Sequence, residues 1–169
     1  MTINSPEEMI KLLDLKPLEI EGGYFRETYR SEEILSKEVL PSWYQSDRCI
    51  STAIYYLLTP ENYSALHKVN SDEIFHFYLG DPVQMLLLYP DGTGREITLG
   101  RDIKSGQAVQ LVVPRGVWQG ASLQQGGGFA LLGTTVSPGF EYQDFVLGQR
   151  GSLLPAYPKY ASRIFELTR

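Results

Sequence analysis

The sequence predicts an all-β fold, an antiparallel sandwich or barrel with short helices at its two ends. Two observations carry this. Short runs rich in β-branched and aromatic residues recur along the chain, with turn signals about every eight to twelve positions. Nowhere do such runs alternate with long helical patterns, as a doubly wound fold would require.

The elements follow in order. Ser5-Pro6-Glu7-Glu8 is a capping box with proline at the first helical position, and Met9, Ile10, Leu12 and Leu13 supply an apolar face. A helix is therefore expected over about 5–14, left through Pro17. Gly22-Gly23 permits a turn, and YFRETYR (24–30) alternates as a half-buried strand does. Residues 31–43 are polar and mixed, a loop or short helix. Strands are expected at 50–58, 73–79, 83–89, 95–99, 108–113, 120–123 and 129–136, with 140–146 completing the sheet. Pro90-Asp91-Gly92-Thr93-Gly94 is a hairpin turn by composition, and 124–128 a glycine-rich one. Ile164, Phe165 and Leu167 mark a short terminal helix.

The 169 residues are most simply one domain: the helix, a barrel over about 20–148 and a C-terminal extension, 149–169. The net charge of −5, with no basic stripe, argues against nucleic acid and anionic membrane surfaces. Cys49 is the single cysteine, so no internal disulfide forms and a reducing compartment is the default. It lies in the apolar run CISTAIYYLL and reads as a packing thiol. No signal-peptide pattern and no apolar run of membrane-spanning length is present, so a cytoplasmic protein is expected. There is no Gly-rich phosphate loop before a helix, no G-x-S-x-G and no pair of CxxC motifs.

Chemistry concentrates in two segments. SALHKVNSDEIFHFYLG (64–80) places Glu73 six positions after His67 and Gly80 beyond six intervening residues. VPRGVWQG (113–120) is the second. Together these residues resemble the two motifs of the cupin superfamily. In the first motif His67, Glu73 and Gly80 take the first histidine, the glutamate and the closing glycine; Val69 stands at the second histidine. In the second, Pro114 and Gly116 match, while Gln119 and Leu123 stand at the histidine and asparagine, and Gly106 lies two residues too far upstream. The EGGYFRETYRS opening, SDEIFHFYLGDP and VPRGVWQG further resemble one branch, the uncharacterised cupin-5 family, over roughly 12–157. The resemblance implies a double-stranded β-helix, or cupin jelly roll, commonly as a homodimer. It implies no settled activity; likeness to sugar-nucleotide epimerases lies at the level of fold.

Strand parity sorts the candidates. With Glu73 facing the interior, Phe75 and Phe77 follow, and Met85 joins them; His76 faces the other side. His67 and Glu73 have three readings. They are metal ligands for iron, manganese or zinc, with Gln119 as a third. Or they are an acid–base pair working without metal, in which the carboxylate orients the imidazole. Or they are a structurally satisfied buried pair. The neutral Gln119 and the empty-handed Val69 make a bound metal the weaker alternative. On 24–30, alternation places Tyr24 and Arg26 on one side. Arg26 is either a rim residue or a pocket group paired with Glu73 or an anion, and the resemblance favours the pocket. Trp118 and Gln119 follow the Pro-Arg-Gly turn, Gln119 pointing inward.

The leading functional expectation is a small polar or anionic molecule bound in the barrel, on a floor of His67, Glu73 and Gln119. Tyr24, Arg26, Phe75, Phe77 and Trp118 would contribute to the walls. His67 and Glu73 are the catalytic candidates, for isomerase- or epimerase-like proton transfer. The alternatives are a metal-dependent oxygenase or isomerase, and a non-catalytic binding module.

Overall fold

In the computed structural model, which describes residues 5–169, the chain opens with α1 (Pro6–Leu12). The Ser5 hydroxyl accepts a hydrogen bond from the Glu8 amide at 3.2 Å, and Pro6 sits in the first turn. Four strands follow: β1 (Lys16–Pro17), β2 (Tyr24–Arg30), β3 (Ile34–Leu35) and β4 (Arg48–Cys49). The next eight are β5 (Thr52–Leu58), β6 (Tyr63–Lys68), β7 (Asp72–Gly80), β8 (Val83–Leu88), β9 (Gly94–Leu99), β10 (Gln110–Val113), β11 (Trp118–Leu123) and β12 (Ala130–Ser137). A short β13 (Val146–Leu147) precedes two helices, α2 (Arg150–Ala156) and α3 (Ala161–Glu166).

One sheet runs β1-β2-β5-β12-β7-β10 and the other β13-β6-β11-β8-β9, with antiparallel pairing throughout. Counting β5–β12 as one to eight, the first sheet takes strands one, eight, three and six, and the second takes two, seven, four and five. That interleaving is a jelly roll, the double-stranded β-helix expected from the sequence.

Alternation decides what each strand shows to the space between the sheets. Tyr56, Leu58, Phe75, Phe77, Met85, Leu87, Ala130 and Leu132 face inward and pack one end of the barrel solid. On the outer face of the first sheet, Leu57 and Leu131 are covered by Met9 and Leu15 from α1 and the turn after it. On the outer face of the second, Leu66, Leu86 and Leu88 are covered by Leu153, Tyr157, Ile164 and Leu167. The C-terminal extension is thus a clasp over an apolar sheet face, secured where the Leu66 amide donates to the Leu167 carbonyl at 2.7 Å. Burial on this scale, at roughly 25 cal/mol per Å² of apolar surface, is what holds the extension down.

Three expectations change. A strand that the sequence pattern does not mark, β6, carries His67; its run YSALHK mixes polar and apolar residues without clean alternation. Residues 140–146 do not form a strand. Tyr142–Asp144 is a single 3-10 turn, and only Val146–Leu147 pairs, with β6. And β2 contains a register shift between Glu27 and Tyr29, so Thr28 is an extra residue against β5. Such a bulge reverses the facing of everything beyond it.

Candidate functional site

At the end of the barrel that is not packed solid lies a cavity of about 320 Å³. That is the lower end of the range for small-molecule pockets. Its walls are mostly apolar, from Leu18, Ile20, Phe25, Ile54, Val136 and Phe145. Its polar groups fall into two sets, a floor and a mouth.

The floor is built on ladder strands. β6 delivers His67, β7 delivers Glu73, and β11 delivers Gln119, directly opposite His67 in the register. His67 is buried, and its ring stacks on Phe145 with centroids 4.9 Å apart and planes 20° from parallel. Nδ1 lies 2.8 Å from the Ala65 carbonyl. A carbonyl only accepts, so Nδ1 carries the proton. In the neutral ring Nε2 therefore holds the lone pair. The Glu21 Oε2 atom lies 3.8 Å from Nε2.

Glu73 is buried and accepts from the Gln119 side-chain amide at 2.6 Å. Burial pushes its carboxyl above the usual carboxylate range, and the nearby Glu21 pushes it further. His67 and the hydrogen bonds from Thr134 and Gln119 oppose this without overcoming it. Gln119 itself is fully buried behind Glu73, outside the cavity lining, and its Oε1 has no partner.

Glu21 arrives from outside the ladders. Gly22 and Gly23 follow it with φ of 111° and 73°, a conformation L-residues rarely adopt. A Cβ on Gly22 would stand 2.1 Å from the Tyr63 carbonyl oxygen, so only glycine allows this approach to β6. The Glu21 carbonyl accepts from the Ala65 amide at 2.9 Å and its Oε1 from the Ser64 hydroxyl at 2.5 Å. Tyr56 completes the support, donating to the Gly22 carbonyl at 2.9 Å. Burial pushes its phenol well up, so it remains a neutral donor.

The mouth is built on the β2 bulge and the segment 140–145. Glu27 and Arg30 both line the cavity. Arg30 bonds Glu27 through two nitrogens, at 3.0 and 2.9 Å, Glu141 at 2.8 Å and the Phe140 carbonyl at 3.2 Å. Beneath, the buried Arg48 holds Asp144 with two bonds of 2.7 Å. Asp144 precedes Phe145, so this pair fixes the ring that stacks on His67.

The structure brings together His67, Glu73 and Gln119 as the sequence predicts, and adds Glu21, Glu27 and Arg30. It does not bring in Arg26 and Tyr24. Arg26 lies over the Tyr55 ring, 5.5 Å from its centroid, and Tyr24 packs with the cluster under α1. Both are on the outer face, and the bulge swings Arg30 inward in their stead. Phe75 and Phe77 face inward but belong to the solid core rather than the cavity wall. Trp118 is also outside, its ring under the Lys68 ammonium at 4.7 Å and packed on the outer cluster. His76 lies on the outer face as parity predicts, within 3.3 Å of Gln110 and 3.4 Å of Thr135. Sequence reasoning missed Glu21; the one signal beside it is the glycine pair of the EGGYFRETYRS opening, which marks a turn but not where that turn lands.

The resemblance to cupins implies a metal, which needs several imidazole or carboxylate donors converging on one point. Val69 offers no ligand atom. Gln119 directs its amide nitrogen, which cannot ligate, at Glu73. Among the described residues no group of three His, Cys, Asp or Glu is arranged to hold an ion. The residues present do not fit a transition-metal site of the usual kind.

A jelly roll with a polar floor between its sheets defines the class: this is a cupin. More narrowly, the chain belongs to the Cupin superfamily family DUF985, whose model matches residues 7–148. A crystal structure of a Shewanella oneidensis protein is 33% identical, with TM-score 0.86 over 99% of both chains. A hypothetical protein from Leishmania major is 31% identical, with TM-score 0.87 over 98% of this chain and 99% of that one. An uncharacterised Saccharomyces cerevisiae protein is 36% identical over 73% of this chain; the match spans 66% of its length. Bacillus subtilis oxalate decarboxylase shares the fold alone, at 14% identity and TM-score 0.52 over 87% of this chain and 35% of that one. No helix among the described residues is long and apolar enough to cross a membrane.

Proposed function

We propose that the barrel binds a small polar molecule and that His67 moves a proton on it. One observation carries this reading: the Ala65 carbonyl engages Nδ1–H, which leaves the Nε2 lone pair of a buried imidazole as the basic atom of the site. A base needs a fixed tautomer and a fixed plane, and the bond to Ala65 and the stack on Phe145 supply both. Glu73 is the second group of the floor able to take up and return a proton. The reaction class is proton abstraction and return at a carbon of the ligand, as in an isomerase or epimerase. No metal step is invoked, because the donor set does not fit one.

The test is a thermal-shift panel of hydroxylated, amino and acidic small molecules on the whole protein. A ligand at a hundred times its dissociation constant stabilises by about 2.7 kcal/mol, on the order of 5–10 °C here. The shift is expected in the native protein and lost in His67→Ala. For any ligand so found, deuterium from solvent should appear at one of its carbons, by proton NMR, and not in His67→Gln. A panel without a response, or responses identical in His67→Ala, would overturn the reading; binding without deuterium uptake would reduce it to a binding module.

A further inference from the structure

The hydrogen-bonding inventory of the cavity is lopsided. Its strong donors are already engaged. His67 Nδ1–H goes to the Ala65 carbonyl, and the Gln119 amide goes to Glu73. The Arg30 guanidinium is taken by Glu27, Glu141 and the Phe140 carbonyl. Besides the hydroxyls of Thr52, Thr134 and Tyr142, which both donate and accept, what remains is acceptor capacity: the carboxylates of Glu21 and Glu73, each with two oxygens and only part of its lone pairs used, and the Nε2 lone pair. Buried acceptors ask for donors, and an unpaired buried acceptor is costly.

The charge points the same way. Four carboxylates line the cavity, Glu21, Glu27, Glu73 and Glu141, against one arginine that is already shared between two of them. Glu21 and Glu73 sit inside the apolar walls, where their field is felt strongly and repels anions, while Glu27 and Glu141 at the exposed mouth are screened by water and shared with Arg30. Arg26, the group that would have welcomed an anion, is on the outer face. Phe25 and Phe145 put aromatic rings in the lining, a residue type that tolerates a cation better than an anion.

We propose that the cavity selects a protonated amine carried on a small apolar body, its N–H groups shared between Glu21 and Glu73. The inference rests on the reading of the cavity as a small-molecule site and gives that site its ligand class. An ammonium supplies three donors and no acceptor, the complement of what the floor presents. A sugar phosphate or organic acid supplies the reverse.

Three probes of one shape test this by calorimetry on the whole protein: cyclohexylammonium, cyclohexanol and cyclohexanecarboxylate. The ammonium should bind roughly tenfold to a hundredfold tighter than the alcohol, the range for hydrogen bonds to charged groups. The carboxylate should not bind measurably. Glu73→Gln and Glu21→Gln should each reduce the ammonium preference while alcohol binding persists, which also reports that the variants remain folded. Equal affinities for ammonium and alcohol, or tighter carboxylate binding, would overturn amine selection. If none of the three binds while the thermal-shift panel yields a His67-dependent ligand, the amine proposal fails and the site reading stands. If neither yields a ligand, both fail.

Discussion

The floor and the mouth of the cavity are made by opposite means. The floor hangs on ladder strands: His67, Glu73 and Gln119 each project from a β-strand whose backbone is paired on both sides, with one register shift between β6 and β11 just beyond the His67–Gln119 pair. The mouth hangs on exceptions to the ladder, a bulge in β2 and a 3-10 turn after β12. What holds the floor is backbone pairing and core packing. What holds the mouth is charge: Arg48 on Asp144 inside, Arg30 on Glu27 and Glu141 outside. The difference separates two tasks. A ladder fixes chemistry in place, while ion pairs set how firmly the entrance and the Phe145 ring are held.

The inner anchor gives the largest expected effect. Arg48 and Asp144 are both nearly inaccessible, their side chains 0% and 3% exposed. Arg48 further donates to the carbonyls of Ser46 and Asp47, and its guanidinium lies 5.1 Å from the Tyr44 ring centroid. Removing one partner of such a pair leaves a buried charge, which costs about 3–5 kcal/mol. Arg48→Ala should lose that much in urea unfolding. Arg48→Met combined with Asp144→Leu should recover most of it, since replacing both charges by apolar groups is often neutral. If Arg48→Ala loses under about 1 kcal/mol, the mouth is not held by this pair, and the contrast with the floor collapses.

The floor makes the opposite prediction. Glu73 carries a carboxyl whose value in the folded state is raised above the ordinary 4.3 or so of an unfolded chain. The groups facing it are His67 from β6, Glu21 from the glycine turn and Tyr56 from β5, and burial outweighs His67. A raised carboxyl favours the folded state fully below the unfolded value. That advantage is lost as pH rises through the folded value. Above the unfolded value the buried Glu73 is therefore a burden on stability. Glu73→Gln keeps the shape and removes the burden. Its melting temperature should equal or exceed the native one at pH 7.5, and the difference should shrink toward pH 4. A variant less stable than native at pH 7.5 would mean that the pairing of this carboxylate exceeds its burial penalty. Stability gained at the expense of binding is the usual mark of a functional site.

The same contrast explains what was legible. Strand alternation carried facing from Glu73 to Phe75, Phe77 and the outward His76, because a period of two holds along an unbroken ladder. His67 and Gln119 rested on motif spacing, since β6 does not alternate cleanly and its ladder with β11 shifts register beyond Gln119. The motif spacing of 64–80 and 113–120 placed them at one level of the barrel. Arg26 precedes the Thr28 bulge and faces outward by the same alternation that turns Phe25 and Glu27 inward; the bulge, which leaves no compulsory signature in sequence, is what brings Arg30 in. Phe75 and Phe77 face inward as parity says, but parity does not say which end of a barrel is packed and which is hollow. Trp118 beside Gln119 was on the outer face by the same alternation that sent Gln119 in. Glu21 depended on an approach through the two glycines to the Tyr63 carbonyl, a tertiary contact no local pattern encodes.

The outer anchor gives the smallest effect and the finest test of the contrast. Arg30, Glu27 and Glu141 are each about two-fifths exposed, so water screens their attraction. Exposed pairs contribute up to about 1 kcal/mol. Arg30→Gln should therefore lose less than that in urea unfolding, far below the inner anchor. It should still change the site, because it strips the one arginine from a cavity lined by four carboxylates. Affinity for cyclohexylammonium should rise, and the gain should fade at high salt, since the freed charges lie at the wet end of the cavity. A stability loss above about 2 kcal/mol would make the outer anchor as structural as the inner one. An unchanged ammonium affinity at low salt would mean that the mouth closes the barrel without shaping its field, leaving charge selection to the floor alone.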